Sequence, residues 1–351
     1  MQPALYSISH SNRNFADPYY WGKNQFNSSF PVALACYMRD SKIPAVYIRH
    51  GGKSDTRISE IDFSDVFRTR SGNDTLFFAF EKSYRPFDVF VEDELKAIDL
   101  VLHDNATKDF LCPLEIKLTT LPDDGTSGMG EEDYGTEIVV RSPTMRYMAL
   151  SMAHSCRKHL PDIRKIFDPV CNKIRNWDNL HEISRWRGQI VETLEIFLNR
   201  YAKYEQPLLM QPIWKTEGKS PTFAKNCLDI FVWSDFALSR LFMDFTRSEE
   251  EDEITPSQRS ALRLARFLYE LSSEQKVFQQ PIYDGMTYGM SNDEEFTVSG
   301  RQTNRYMRCP RLFTPIIQKS QIKAIILAPP ANVEGIWLER CVTQQINLLT
   351  L

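Results

Sequence analysis

Between Thr75 and Leu121 the chain reads TLFFAFEKS, FDVFVED, KAIDLVLHD and FLCPLEIKLTTL, four short segments rich in Phe, Val, Leu and Ile and separated by polar turns. That rhythm predicts an antiparallel meander, because aromatic and β-branched residues suit a pleated surface and the intervening turns are too short for crossover helices. A polar loop over residues 122–136 follows, and EIVVRS then reads as a further strand. Helical periodicity takes over next. Arg146–Phe167 is expected as one helix, and Asn179–Tyr204 carries an apolar stripe of Ile183, Trp186, Ile190, Leu194 and Phe197.

After Pro207, PLLMQPIWK and CLDIFVW read as strands, and Ser234 is placed to cap a helix over DFALSRLFMDF. The acidic run Glu249–Glu253 is a solvated linker. Thr255-Pro256-Ser257-Gln258 has the form of a capping box with proline in the first turn, opening a helix through Leu271. KAIILAP is a late strand. Upstream, residues 1–75 are polar and loop-rich, with a short helix expected over Pro31–Arg39 and a strand over Pro44–Arg49. Strands, then helices, then a mixed tail predict an α/β fold with a central mixed β-sheet flanked by helices. The chain divides into a loop-rich region at 1–75, a core at 76–245 and a helical, basic region at 246–351 packed with the core as one domain.

The chain has 351 residues, of which 42% are hydrophobic and 25% charged, the profile of a soluble globular protein. No stretch approaches the roughly 18 apolar residues needed to span a bilayer, and no secretory signal opens the chain, so a cytoplasmic protein is expected. The seven cysteines form no C-x-x-C pair and read as reduced, buried thiols rather than a zinc site or disulfide framework. The six histidines show no metal-binding spacing. A nucleophile elbow, a P-loop and a dinucleotide fingerprint are all absent, which removes serine hydrolases, nucleotidases and dehydrogenases. The net charge of −4 excludes a general nucleic-acid coat but leaves room for an acidic protein with a basic cleft.

Chemistry concentrates in KAIDLVLHDNATKDFLCPLEIKLT, residues 96–119. Asp99 opens one strand, HDNATKD is a turn by composition, and FLCPLEIKLT returns beside the first. Side chains alternate along a strand, so Glu115 and Lys117 share a face while Leu114, Ile116 and Leu118 take the other. Asp99 on the adjoining strand would bring two carboxylates and an ammonium together, a costly grouping unless the charges are paired or bind metal. For phosphodiester hydrolysis the grouping is apt. Asp99, Glu115 and the Ile116 carbonyl offer the hard oxygen ligands that Mg²⁺ takes, and Lys117 can orient water or balance charge at phosphorus. An acid, a hairpin and Glu-x-Lys between apolar flanks is the PD-(D/E)xK nuclease pattern.

By spacing alone a second reading stands beside it: a surface hairpin with an i, i+2 ion pair worth only a few tenths of a kcal/mol. Ile98, not proline, precedes Asp99, and Asp88 in RPFD is a rival first acid. Glu81 is a further acid that either joins the site or faces outward, while Asp104 and Asp109 belong to the turn.

The stretch FFAFEKSYRPFDVFVEDELKAIDLVLHD, the phrase PLEIKLTTLPDD and the later block QPLLMQPIWKTEGKSPTFAKNCLDIFVWSDFALSRLF resemble the HindVP/HgiDI group of type II restriction endonucleases, over roughly residues 50–245. The resemblance implies a PD-(D/E)xK restriction-endonuclease-like core, Mg²⁺ as cofactor, a homodimer, and cleavage of double-stranded DNA at a short palindrome, GRCGYC for this group. Its catalytic residues fall on Asp99, Glu115 and Lys117. A cognate methyltransferase is its functional partner.

Reading a DNA site requires Arg or Lys at guanine edges and phosphates. Three segments qualify: HGGKSDTR with Lys53 and Arg57, QPIWKTEGKSP with Lys215 and Lys219, and GRQTNRYMRCPR with Arg301, Arg305 and Arg308. The rival functions are a repair or recombination nuclease of the same fold and a non-catalytic DNA-binding protein. Discrete cleavage fragments separate the first, and loss of cleavage in Lys117→Ala the second.

Overall fold

The computed structural model describes residues 45–50, 56–61, 76–104, 106–120, 138–201, 208–211, 214–217, 220–223, 228–232, 239, 243, 253–291 and 294–298. Its strands are β1 (Ala45–His50), β2 (Thr56–Ile61), β3 (Leu76–Lys82), β4 (Ile98–Asp104), β5 (Phe110–Thr120), β6 (Ile138–Arg141), β7 (Leu208–Gln211), β8 (Trp214–Glu217), β9 (Ser220–Phe223), β10 (Leu228–Val232) and β11 (Glu294–Val298). Seven of them form one sheet in the order β2-β1-β7-β10-β5-β4-β3.

Three of the four expected strands, β3, β4 and β5, pair antiparallel in chain order, with residues 83–97 joining the first two. In the turn between β4 and β5, Asp104 Oδ1 accepts from the amides of Ala106 (2.8 Å) and Thr107 (3.3 Å). Local side-chain bonding of this kind is what makes HDNATKD a turn. Phe80, Leu100, Leu102 and Leu114 are buried, and so are Ala79 and Val101, so both faces of the meander are covered. This explains the nearly continuous apolar runs of β3 and β4.

Two expectations are corrected in the sheet. Every pairing in it is antiparallel among the described residues, so the central sheet is not mixed. The cause is local: β7 and β10 are joined through the β8-β9 hairpin, which brings β10 back antiparallel to β7 and onto β5. The segment FDVFV is not a strand but part of a 3₁₀ helix, Arg85–Phe90. Pro86 presets the first turn, and Phe87 and Phe90, three apart, are the residues it buries.

Helices α1 (Ser142–Ser155), α2 (Leu160–Cys171), α3 (Leu180–Tyr201), α4 (Pro256–Glu274) and α5 (Gln279–Gly285) form the second layer. The single helix expected over Arg146–Phe167 is instead α1 and α2, separated by a 3₁₀ turn at Arg157–His159. Pro161, in the first turn of α2, has no amide hydrogen to bond back to α1, so the helical ladder cannot run through it. In α3, Ile183, Ile190, Leu194 and Phe197 are buried as their spacing requires, with Trp186 at the core's edge and Lys173 Nζ 5.3 Å from its ring. The capping box of α4 is formed: Thr255 Oγ1 accepts from Gln258 N (3.2 Å) and Gln258 Oε1 from Thr255 N (3.3 Å).

β6 pairs with β11 rather than joining the main sheet, and α4 packs on that ribbon. There Arg263 and Glu295 form a fully buried ion pair, to which Ser260 Oγ adds a 3.1 Å bond to Glu295 Oε2. Cys112, Cys156 and Cys171 are free, buried thiols, as expected, and burial pushes that of Cys171 up to about 12. No helix among the described residues is long and apolar enough to cross a membrane. The helices expected over Pro31–Arg39 and DFALSRLFMDF and the strand KAIILAP lie outside the described residues, apart from Ser239 and Met243, both buried.

Candidate active site

The β4-β5 ladder pairs Leu100 with Leu114, Val101 with Pro113 and Leu102 with Cys112. Asp99 and Glu115 are the next residues beyond the Leu100–Leu114 pair; the register continued by one position sets them opposite each other, and facing residues of an antiparallel pair project from the same side of the sheet. Both are half-buried. Asp99 shares its face with Val101, which is sealed within the helical core, so the two carboxylates look toward the helix layer and stand at its margin.

Helix α1 reaches both strands from that layer. Thr144 Oγ1, in its first turn, donates a 2.8 Å hydrogen bond to Glu115 Oε1. Tyr147, three residues on and so on the same helix face, donates from its hydroxyl to Lys96 O at 2.5 Å and accepts from Tyr84 N at 3.2 Å. Lys96 is three residues before Asp99. Thus one helix face grips the strand carrying each carboxylate. Burial pushes the Tyr147 phenol up to about 12, and the negative charges of Asp88 and Glu115 act in the same direction.

Lys117 lies in β5 at the position paired with Ile230 of β10, and Ile116 pairs with Phe231. Asp88 is exposed in the 3₁₀ turn, not on a strand beside Asp99. Glu81 is the β3 residue between those paired with Leu100 and Ile98, hence next to Asp99 in the sheet, but it is exposed and its φ of 47° breaks the regular strand there. Asp104 and Asp109 are in the turn, as expected: Asp104 N donates to Asp109 O at 2.9 Å.

Of the cations singled out for DNA, Arg57 is in β2 opposite Arg49 and Lys215 in β8 opposite Thr222. Lys53, Lys219, Arg301, Arg305 and Arg308, with the loop 122–136, lie outside the described residues. Sequence reasoning did not single out Thr144 or Tyr147. The signal available was Ser142-Pro143 directly after a strand, a helix-start signature that directs the next hydroxyl back toward the sheet.

A divalent cation fits this donor set. Two facing carboxylates, one already held by a hydroxyl, are hard oxygen donors of the kind Mg²⁺ takes one or two at a time while retaining waters. Among the described residues no three His, Cys, Asp or Glu side chains gather in one place.

An antiparallel hairpin presenting paired carboxylates beside a lysine-bearing strand position describes a candidate phosphodiester hydrolase. The model of the HindVP restriction endonuclease family matches residues 21–334. The type II restriction enzyme HgiDI of Herpetosiphon aurantiacus is 37% identical over 326 residues, covering 93% of this chain and 90% of that protein. The probable type II restriction enzyme HindVP of Haemophilus influenzae is 35% identical over 328 residues, covering 93% of this chain and 88% of that protein. No solved structure matches the chain. The chain belongs to the HindVP restriction endonuclease family, and its enzyme class is that of the type II site-specific deoxyribonucleases.

Proposed function

We propose that the chain is a Mg²⁺-dependent endonuclease with a PD-(D/E)xK core whose centre is Asp99, Glu115 and Lys117. What supports the reading is the β4-β5 register: continued one position past Leu100–Leu114, it brings Asp99 opposite Glu115, with Lys117 two residues along the same strand. Asp99, Glu115 and the Ile116 carbonyl hold the cation, which supplies charge neutralisation at the scissile phosphate and makes water more acidic when bound. Lys117, whose amino group offers hydrogen-bond donors, orients the attacking water or balances charge at phosphorus.

The substrate is double-stranded DNA with a short palindromic site, GRCGYC by family resemblance. A palindrome calls for two-fold symmetry, so the working form is a homodimer. Lys53, Arg57, Lys215, Lys219, Arg301, Arg305 and Arg308 are the proposed DNA contacts: two precede the 76–245 core, Lys215 and Lys219 lie late within it, and three follow it. A cognate methyltransferase protects the host site, and the enzyme works in the cytoplasm.

Digestion of a plasmid of known sequence with Mg²⁺, followed by mapping of the ends, tests the reading. Discrete fragments ending at one palindrome are expected, with cleavage lost in Lys117→Ala. Random degradation, or wild-type cleavage by Lys117→Ala, would overturn it.

A further inference from the structure

The hydroxyl of Thr144 reaches out of its own helix to a strand carboxylate, as that of Ser260 also does toward Glu295. Ser184, Thr193 and Ser260 each donate to the carbonyl four residues back in their own helix, at 2.7–3.0 Å: Leu180, Gln189 and Pro256. That is the default for a hydroxyl within a helix. Thr144 is the third residue of α1, and the residue four back, Val140, belongs to β6. Its hydroxyl turns out of the helix and donates to Glu115, 29 residues away, at 2.8 Å. The Thr144 side chain is itself buried at 4% exposure, so neither its rotamer nor its donor is shared freely with water. On the same face Tyr147 anchors Lys96 O, which keeps α1 in place against the strand that leads into Asp99.

From this contact we infer that Thr144 is a positioning residue for the nuclease centre: its hydroxyl fixes the orientation of the Glu115 carboxylate and so prepays the ordering that cation binding requires. The inference rests on Glu115 being a cation ligand, as proposed above. A carboxylate with three rotatable bonds loses rotamer freedom on ligation, and a buried donor that has already selected one rotamer lowers that cost.

The test is calorimetric titration of the full-length protein with Ca²⁺, and separately with Mg²⁺, in wild type, Thr144→Val, Thr144→Ala, Thr144→Ser and Glu115→Gln. Melting temperatures in EDTA are measured alongside. Thr144→Val and Thr144→Ala are expected to weaken cation binding about 10–100-fold, the usual cost of losing a partner that orients a ligand. The Mg²⁺ midpoint for plasmid cleavage should move by the same factor. Thr144→Ser, which keeps the hydroxyl, should bind within about 3-fold of wild type. If the Val variant does not fold, the Ala and Ser pair carries the comparison.

Unchanged cation affinity in Thr144→Ala, with or without a fall in melting temperature, overturns the inference, because a merely structural threonine would move the melting temperature alone. Failure of the underlying reading looks different. There Glu115→Gln would bind cation and cleave DNA like the wild type.

Discussion

Asp99 and Glu115, 16 residues apart in the chain, are the next residues along β4 and β5 beyond the Leu100–Leu114 pair of their ladder. Asp88, the rival acid in RPFD, sits exposed in a 3₁₀ turn instead. Asp99→Asn should therefore lower plasmid cleavage by about 10³-fold or more, the loss expected when a site forfeits several kcal/mol of charge stabilisation. Asp88→Asn should stay within about 5-fold of wild type. The reverse ranking of the two variants in a fixed-time cleavage assay would move the first acid to Asp88.

Removal of divalent cations offers a second check. EDTA should stop cleavage completely, and Mg²⁺ should restore it, since two carboxylates facing each other need a cation to accept a phosphate. With Ca²⁺ in place of Mg²⁺, gel-shift assays on a duplex carrying the palindrome should show binding without cutting. Persistent cleavage after exhaustive chelation would be incompatible with the proposed centre.

The Arg263–Glu295 pair, 2.6 Å long with both side chains at 0% exposure, concerns stability rather than chemistry. Burial pulls the neighbouring Arg259 guanidinium down and the Arg263 charge adds to that, while Glu295 counters both. Glu295→Gln leaves buried positive charge uncompensated and should cost about 3–5 kcal/mol. The double replacement Arg263→Met with Glu295→Leu should be less destabilised than either single change, because it removes both desolvation penalties. Urea denaturation of the three variants measures this, and an additive result would mean that the pair is not coupled.

Alkaline stability depends on Tyr147. Its phenol is raised from an ordinary value near 10 to about 12, chiefly by burial, so the folded state favours the neutral form. The associated stability is complete below pH 10 and is lost as pH rises from about 10 to 12, to the extent of roughly 2 kcal/mol. Tyr147→Phe cannot ionise but gives up the bonds to Lys96 O and Tyr84 N. It should be about 1–2 kcal/mol less stable at pH 8 and show a shallower decline above pH 10. A decline as steep as that of the wild type would mean that Tyr147 does not titrate with unfolding; Tyr283 and Tyr288, whose phenols burial also raises, would then account for it.

Much of this molecule is written locally in its chain. The meander came from apolar runs and turn chemistry, because a strand's period and an Asx turn such as that of Asp104 depend on neighbours in sequence. The same holds for α3, whose stripe needs only its own spacing, and for the Thr255 capping box, whose two bonds close within four residues. FDVFV misled because its composition suits a strand, whereas Pro86 and the burial of Phe87 and Phe90 favour a 3₁₀ turn against the helices. A mixed sheet was expected from the order of strands, helices and tail, an order that does not set strand direction.

For the site the division is sharper. Asp99, Glu115 and Lys117 and their strands were legible from alternation and spacing, together with the family phrases around them. Which acids face each other was decided by a register between two strands, and register depends on what each face buries. The Thr144 hydroxyl was still less accessible to sequence reasoning, since its bond joins the first turn of a helix to a strand 29 residues earlier. Sequence alone thus determined the elements and the chemistry they carry, because both follow from neighbouring residues. Only the tertiary structure decided which carboxylates meet and what holds them, because those contacts exist once the helix layer has closed on the sheet.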